Sequence, residues 1–111
     1  MRIARGSTLE IRISVSEDVC KLSEEANDVW LTIKSVGAEG FTKKLSEDAL
    51  EIDSETNSIV CVLSQSETLS LKEGEGRGRA QIKVLNNLDY ALVSQVEVFD
   101  ILPVLNGEVM V

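Results

Sequence analysis

The chain has 111 residues, of which 43% are hydrophobic and only 4% aromatic, and its formal net charge is −8. This length holds one domain, and a core of Val, Leu and Ile favours strands. An acidic chain is not expected to bind nucleic acid, and no apolar run is long enough for a membrane span or a signal peptide. We therefore expect a cytoplasmic protein that binds neither nucleic acid nor membrane.

The first third of the sequence shows the clearest strand patterns. Residues 8–16 alternate apolar and polar side chains with a period of two, and residues 28–36 repeat the pattern before two glycines. Between them, residues 17–28 are polar and fit a loop or a single helical turn, with Val19 and Leu22 as the candidate buried anchors. This region predicts two strands joined by a largely irregular connection.

The middle third predicts a hairpin followed by a helix. Residues 41–45 form a short candidate strand, and residues 50–52 and 58–63 flank a turn-rich run at 53–57. Ser64 is followed three residues later by Glu67, which is the spacing of a capping box, so one or two helical turns are expected within 64–71.

The last third begins with Gly74, Gly76 and Gly78, which we interpret as a flexible connector that breaks the chain. Residues 79–85 form the next strand, 86–89 have turn chemistry, and 90–101 form the last long strand. The total of about seven strands with one short connector helix predicts an all-β, immunoglobulin-like β-sandwich. It would be a single domain over residues 1–111, with 103–111 as a candidate C-terminal extension.

The period-two stripes predict which residues form the core. The predicted core residues are Leu9, Ile11, Ile13, Val29, Leu31, Ile33, Ile59, Cys61, Leu63, Ile82, Val84, Val96 and Val98.

The composition argues against catalysis. The chain has no histidine, so triads and imidazole zinc sites are absent, and no serine stands three positions before a lysine. Asp53, Glu55 and Asn57 have the alternate spacing of a calcium loop. Ser58 and Ser64 replace its glycine and glutamate, which leaves only an opportunistic cation site open. We expect no enzymatic activity, cofactor or metal, and we expect Cys20 and Cys61 to be free thiols.

Two groups of residues are candidates for contact with a partner protein. Strict alternation turns Trp30 away from the first stripe of its strand, and Val60 and Val62 away from theirs. Either both sheet faces are covered or an apolar patch is exposed, and for Trp30 ordinary core packing is favoured. The C-terminal segment is apolar around the only proline, and it either folds back on its own sandwich or adds to the edge of a neighbour; its candidate contact residues are Val104, Leu105 and Val109.

Four stretches carry a resemblance to a known family. They are residues 3–8 (IARGST), 28–34 (DVWLTIK), 59–69 (IVCVLSQSETL) and 104–109 (VLNGEV). In this order they resemble small prophage-encoded structural proteins, in particular the N-terminal Ig-like domain of phage upper-baseplate proteins. The pattern departs from the family at Ser7, where an acidic residue commonly follows Arg-Gly.

The resemblance implies a non-enzymatic virion component that begins in the cytoplasm of a bacterial host and ends in the particle. Its partners would be itself or other virion subunits, in a baseplate, tail or head accessory role. The alternative is a β-sandwich that binds carbohydrate or another ligand. Sugar sites use aromatic platforms, and Trp30, Tyr90, Phe41 and Phe99 are few and scattered along the chain.

Overall fold

The computed structural model describes residues 1–94 and 96–110, and strands form about half of it. The strands are β1 (Arg2–Ala4), β2 (Leu9–Ser14), β3 (Ala26–Ser35), β4 (Phe41–Lys44), β5 (Glu51–Asp53), β6 (Ser58–Leu63), β7 (Gly74–Asn86), β8 (Ala91–Val93) and β9 (Glu97–Leu102). The helical segments are α1 (Leu22–Glu25), a 3-10 turn (Leu45–Glu47) and α2 (Gln65–Leu69). None of the helices in this described part is long and apolar enough to cross a membrane.

The strands divide between two sheets that enclose one core. The smaller sheet has the order β2-β6-β5, and the larger has the order β1-β9-β7-β3-β4, with β8 also paired to β7. All pairs are antiparallel except β1 with β9. This division of the strands between two sheets, with little helix, is that of an all-β sandwich with a short helix, as the sequence predicts. Short β1, which was not predicted, and the splitting of the last strand raise the number from about seven to nine in the described residues.

The core lies where the inward stripes of the two sheets meet. Val29, Leu31 and Ile33 of β3 are fully buried, and they share one cluster with the inward residues of β6 and β7. Leu9 and Ile13 pack against this cluster but remain partly exposed, because β2 is the edge strand of the smaller sheet. The stripes predicted for β3, β6 and β7 are confirmed as the centre of the core.

The predicted core positions Val96 and Val98 are wrong. Their exposed fractions are 50% and 58%, whereas Phe99 and Ile101 of β9 are buried. The predicted strand at 90–101 is two strands, and Gln95 between them lies outside the described residues. Because side chains alternate across a strand, placing the stripe one residue out of phase assigned it to the wrong face.

The glycines near residue 76 do not break the chain, contrary to the prediction. They lie within β7, where Gly74 and Gly76 have positive φ and the register with β9 shifts. Gly78 pairs with Phe99, and a Cβ at this glycine would lie 2.3 Å from the ring. The glycines therefore form a bulge and make room for an aromatic ring that covers the strand.

The connection between β2 and β3 is held by one side chain. Asn57, at φ 49°, donates from Nδ2 to the carbonyls of Val15 (2.7 Å) and Cys20 (2.9 Å) and accepts at Oδ1 from the backbone N–H of Leu22 (2.8 Å). Of the two predicted buried anchors, Leu22 is buried, whereas Val19 is 59% exposed and its prediction is wrong.

Helix α2 begins as predicted. The Ser64 side chain accepts from the Glu67 backbone N–H, and the Glu67 carboxylate accepts from the Ser64 backbone N–H, which completes the capping box. Glu67 also forms an ion pair with Lys43 of β4, with a nitrogen-to-oxygen distance of 2.7 Å. The helix thus ties the end of β6 to the edge of the larger sheet.

The C-terminal segment after β9 lies along α2. The Gln65 side-chain amide donates to the carbonyl of Met110 (3.0 Å) and accepts from its N–H (2.8 Å). Val104 Cγ2 is 3.4 Å from the position of a Cβ at Gly6, beside Leu69. The segment therefore folds back on its own domain up to residue 110, and Val111 lies outside the described residues.

Candidate partner-binding surface

The six candidate contact residues lie at three separate places. Trp30 lies on the outer face of the larger sheet, and Val60 and Val62 lie on the outer face of the smaller sheet, on the opposite side of the sandwich. The remaining candidates, Val104, Leu105 and Val109, belong to the segment that follows β9. No single site joins them within one molecule.

Trp30 does not pack in the core, which corrects the favoured interpretation. Its neighbours in β3, Val29 and Leu31, point inward with no exposure, so alternation turns the indole outward, where it is 39% exposed. The tryptophan and disulfide characteristic of antibody domains therefore have no counterpart, because Trp30 faces outward and both cysteines are free.

Two lysines flank the indole. Trp30 pairs with Lys44 of β4 on one side and with Lys83 of β7 on the other, so all three side chains share one row across the sheet. The Lys44 ammonium lies 4.4 Å from the ring centroid and that of Lys83 lies 5.9 Å away. Both distances fall within the range of cation–π attraction, which holds positive charge around the ring.

Asp28 fixes the edge of the indole. Its Oδ2 accepts a hydrogen bond from Trp30 Nε1 (2.9 Å) and another from the Ser46 hydroxyl (3.0 Å), while Oδ1 accepts from the Ser46 backbone (3.1 Å) and the Val29 backbone (2.9 Å). Desolvation raises the pKa of Asp28, but these hydrogen bonds outweigh it and hold the pKa below its ordinary value. The ring is therefore positioned before any partner arrives.

The surface around Trp30 extends over most of the larger sheet. We call it the Trp30 face, and it comprises the outward residues Arg2, Asp28, Trp30, Thr32, Lys34, Thr42, Lys44, Arg79, Gln81, Lys83, Leu85, Ala91, Val93, Val98, Asp100 and Leu102. Next to Trp30, a shallow pocket of about 270 Å³ is lined by Asp28, Lys83, Leu85 and Ala91. Val93 and Val98 are more than half exposed, so the face combines apolar area with positive charge.

The outer face of the smaller sheet has the opposite charge. We call it the valine face, and it comprises Glu10, Arg12, Glu51, Asp53, Val60 and Val62. Val62 is 56% exposed, and its cross-strand partner is Glu10, while Val60 lies between Arg12 and Glu51. The face is therefore a pair of valines bordered mainly by carboxylates.

The sequence left a cation site open near Asp53. In the structure, the Asp53 carboxylate accepts hydrogen bonds from other groups of the protein. A hydrogen bond from Arg12 lowers the pKa of Asp53 below its ordinary value, and hydrogen bonds from Glu55 and Thr56 act in the same direction. Within residues 1–94 and 96–110, no three Cys, Asp or Glu side chains are grouped so that they could hold a metal ion.

The C-terminal candidates differ in exposure. Val104 is half-buried beside Gly6 and Leu69, Leu105 is fully exposed, and Val109 is 44% exposed. The segment thus uses part of its apolar surface within its own domain and presents the rest to solvent.

A cavity of about 520 Å³ opens between the edges of the two sheets. It is bordered by β2 and the following loop on one side and by β7, β8 and the start of β9 on the other, and it includes Ile13, Val15, Ile82 and Leu92. Its walls combine aliphatic side chains with polar ones, among them Ser14, Gln81 and Glu97.

Alternation in the sequence sets Trp30 apart from the inward stripe of its strand, but it indicates neither the exposure of the indole nor the charges around it. Lys44 and Lys83 lie 14 and 53 positions along the chain from Trp30, and only the register of β3 with β4 and β7 brings them to the ring. No local pattern indicates that register.

No family model, curated protein sequence or solved structure matches this chain.

Proposed function

We propose that this chain is a non-enzymatic protein-binding module that assembles into a phage or prophage particle as a baseplate, tail or head accessory protein. The observation that carries the proposal is the Trp30 face, a surface with a fixed tryptophan, exposed aliphatic side chains and two flanking lysines. Tryptophan is one of the residue types most enriched among the energetic centres of protein interfaces.

The face suits a preformed contact. Trp30 and Asp28 lie on a sheet whose other side is packed in the core, so binding would order few groups and cost little conformational entropy. A rigid sheet face of this kind is well suited to holding another protein.

The placement in a phage particle rests on the resemblance to phage upper-baseplate Ig-like domains. The four stretches that carry the resemblance fall in and after β1, in β3, in β6 with α2, and in the C-terminal segment. They thus cover parts of the chain that contribute both to the sandwich and to the Trp30 and valine faces.

Incorporation into particles tests the proposal. Particles would be purified after prophage induction from hosts that carry the wild-type chain, Trp30→Ala, or the control Leu88→Ala, which truncates a 69% exposed leucine on the turn between β7 and β8. We expect the wild-type chain and the control in the particles. The amount of Trp30→Ala incorporated into particles should be lower by at least about tenfold. Absence of the wild-type chain from particles, or equal incorporation of Trp30→Ala, would contradict the proposal.

Carbohydrate binding is the second candidate function, and Trp30 is the aromatic side chain that supports it. Phe99 is buried and Phe41 is half-buried, while Tyr90 is exposed on the turn before β8. One indole already approached by Lys44 makes a poor platform for a sugar ring. A clear hit on a glycan array that Trp30→Ala abolishes would reverse this ranking.

A further inference from the structure

We infer that the Trp30 face of one copy of this chain docks on the valine face of a second copy. This inference rests on the proposed function, because it names the partner of the same surface. It concerns two outer sheet faces that lie on opposite sides of one sandwich.

The charges of the two faces are complementary. The Trp30 face holds five of the eleven basic residues of the chain, Arg2, Lys34, Lys44, Arg79 and Lys83, but only two of the nineteen acidic ones, Asp28 and Asp100. The valine face holds three acidic residues and one basic residue, and that basic residue, Arg12, already pairs with Asp53 and Glu10. A chain with a net charge of −8 thus carries one positive surface and, behind it, a negative one.

This complementarity favours a protein partner over a nucleic acid. A polyanion attracted to the Trp30 face would also meet the field of the remaining surface, on which acids outnumber bases strongly. A second copy instead brings carboxylates to the face in a fixed pattern, as Glu10 and Glu51 flank the two valines.

The apolar parts also correspond. In the proposed contact, Trp30 covers Val62 and Val60, while Lys44 and Lys83 reach Glu10 and Glu51. Val62 is more than half exposed in the single chain, so covering it with an indole removes apolar area from water.

The size of the face sets the strength of the contact. Five strands about 4.8 Å apart, each contributing about 20 Å of length, give a face of roughly 500 Å². The valine face has only three strands and measures roughly 300 Å² on the same basis, so the contact buries about 600 Å² in total, which is below most specific interfaces, and the association should be weak and concentration-dependent.

The contact is heterologous and does not close a dimer. Because the two faces are on opposite sides of the sandwich, each copy that uses one face leaves the other available, and copies add in a row. An array of subunits built in this way would be a component of an assembled particle.

The test measures the mass of the full chain by multi-angle light scattering over a concentration series. At about 0.15 M salt, charges farther apart than about 8 Å are screened, so the overall repulsion between copies is reduced. We expect wild-type mass to rise with concentration. Lys83→Glu and Glu51→Lys should each weaken association at least about tenfold, because each places like charges opposite one another. The double variant should restore it, and the off-face control Lys72→Glu should behave as wild type.

A second arm fixes the direction of the contact. Trp30→Ala keeps an intact valine face, and Val62→Asp keeps an intact Trp30 face, so each should be monomeric alone. Their mixture should give a 1:1 pair that grows no further. Circular dichroism of every variant checks that the β-sandwich is intact.

The results that overturn the inference are distinct from those that overturn the proposed function. A wild-type chain that stays monomeric throughout, single reversals that do not weaken association, a double variant without rescue, or a mixture that forms no pair would each overturn it. A monomeric chain that binds heparin through Lys83 would assign the face to an anionic polymer instead. If the chain is monomeric but Trp30→Ala still blocks incorporation into particles, only this inference fails.

Discussion

Asn57 is the side chain that holds the irregular backbone between β2 and α1 in place. It is buried, it satisfies two carbonyls and one N–H in the connection between β2 and β3, and it adopts a left-handed conformation that Asn tolerates better than most residues. The sequence shows Asn57 only as the end of a turn-rich run. Its partners are 35 to 42 positions away, which no local pattern could reveal.

We expect Asn57→Ala to lower the free energy of unfolding by about 3 to 5 kcal/mol. It leaves buried backbone groups without partners and places alanine at positive φ. Urea unfolding followed by circular dichroism measures the loss. The control Asn106→Ala, which removes an acceptor for Glu108 in the exposed C-terminal segment, should change stability by less than about 0.5 kcal/mol. Equal stabilities of the two variants would contradict the assigned role.

Both thiols are buried, and their pKa values follow from this. Burial raises the pKa of Cys20, and the nearby Glu25 adds to the effect. Burial also raises the pKa of Cys61, although Lys43 opposes it. Because the thiolate is the reactive form, we expect both cysteines to react slowly with a thiol reagent in the native protein at neutral pH.

After denaturation without reductant, both thiols should react at once. Counting modified cysteines by mass spectrometry before and after denaturation checks this. A pair that stays unreactive in denaturant would reveal a disulfide, and fast reaction in the native state would contradict the burial.

Elements whose signals are local could be predicted from the sequence. Helix α2 follows from the spacing of Ser64 and Glu67, and the β5–β6 hairpin follows from its turn residues. The errors arose where the determining contact is distant. The glycines of β7 form a bulge because β9 pairs there, and the phase of Val98 depends on where β9 begins. The pairing of β7 with β9 therefore determines both the bulge and the side chains of β9 that face the core.

The ion pair of α2 makes part of the stability depend on pH. Desolvation raises the pKa of Glu67, but hydrogen bonds from Lys43 and the Ser64 backbone outweigh it and lower the pKa below its ordinary value. A carboxyl group with a lower pKa in the folded state binds protons more readily when unfolded. Its contribution is therefore fully present above about pH 4.3, the unfolded value, and is lost as the pH falls through the folded value.

We expect Glu67→Gln to cost about 1 to 2 kcal/mol at pH 7 and less than half of that at pH 3, because glutamine keeps the capping box but loses the charge. Denaturant unfolding of both proteins at the two pH values measures the difference. Glu39→Gln, on an exposed turn, is the control and should stay close to wild type at both. A cost that does not shrink in acid would contradict the role of the ion pair.

The two sheets bury their inward side chains in one core and expose two other sets of side chains on their outer faces. The inward stripes of β3 and β6 were predictable because alternation alone defines them. Their outward stripes could be listed but not combined into faces, since Lys83 joins Trp30 only through the β3–β7 register. The Trp30 face is therefore a property of topology, and the sequence supplied only its central residue.

Hydroxyl-radical footprinting of the chain, free and in purified particles, measures directly whether a partner covers Trp30 on assembly. Trp30 is the only tryptophan and is partly exposed, while Met110, at 82% exposure, reports on the C-terminal segment. We expect oxidation of Trp30 to fall several-fold on assembly, with a smaller change at Met110. Equal oxidation of Trp30 in both states, with protection of Met110 instead, would contradict the account and assign the contact to the C-terminal segment.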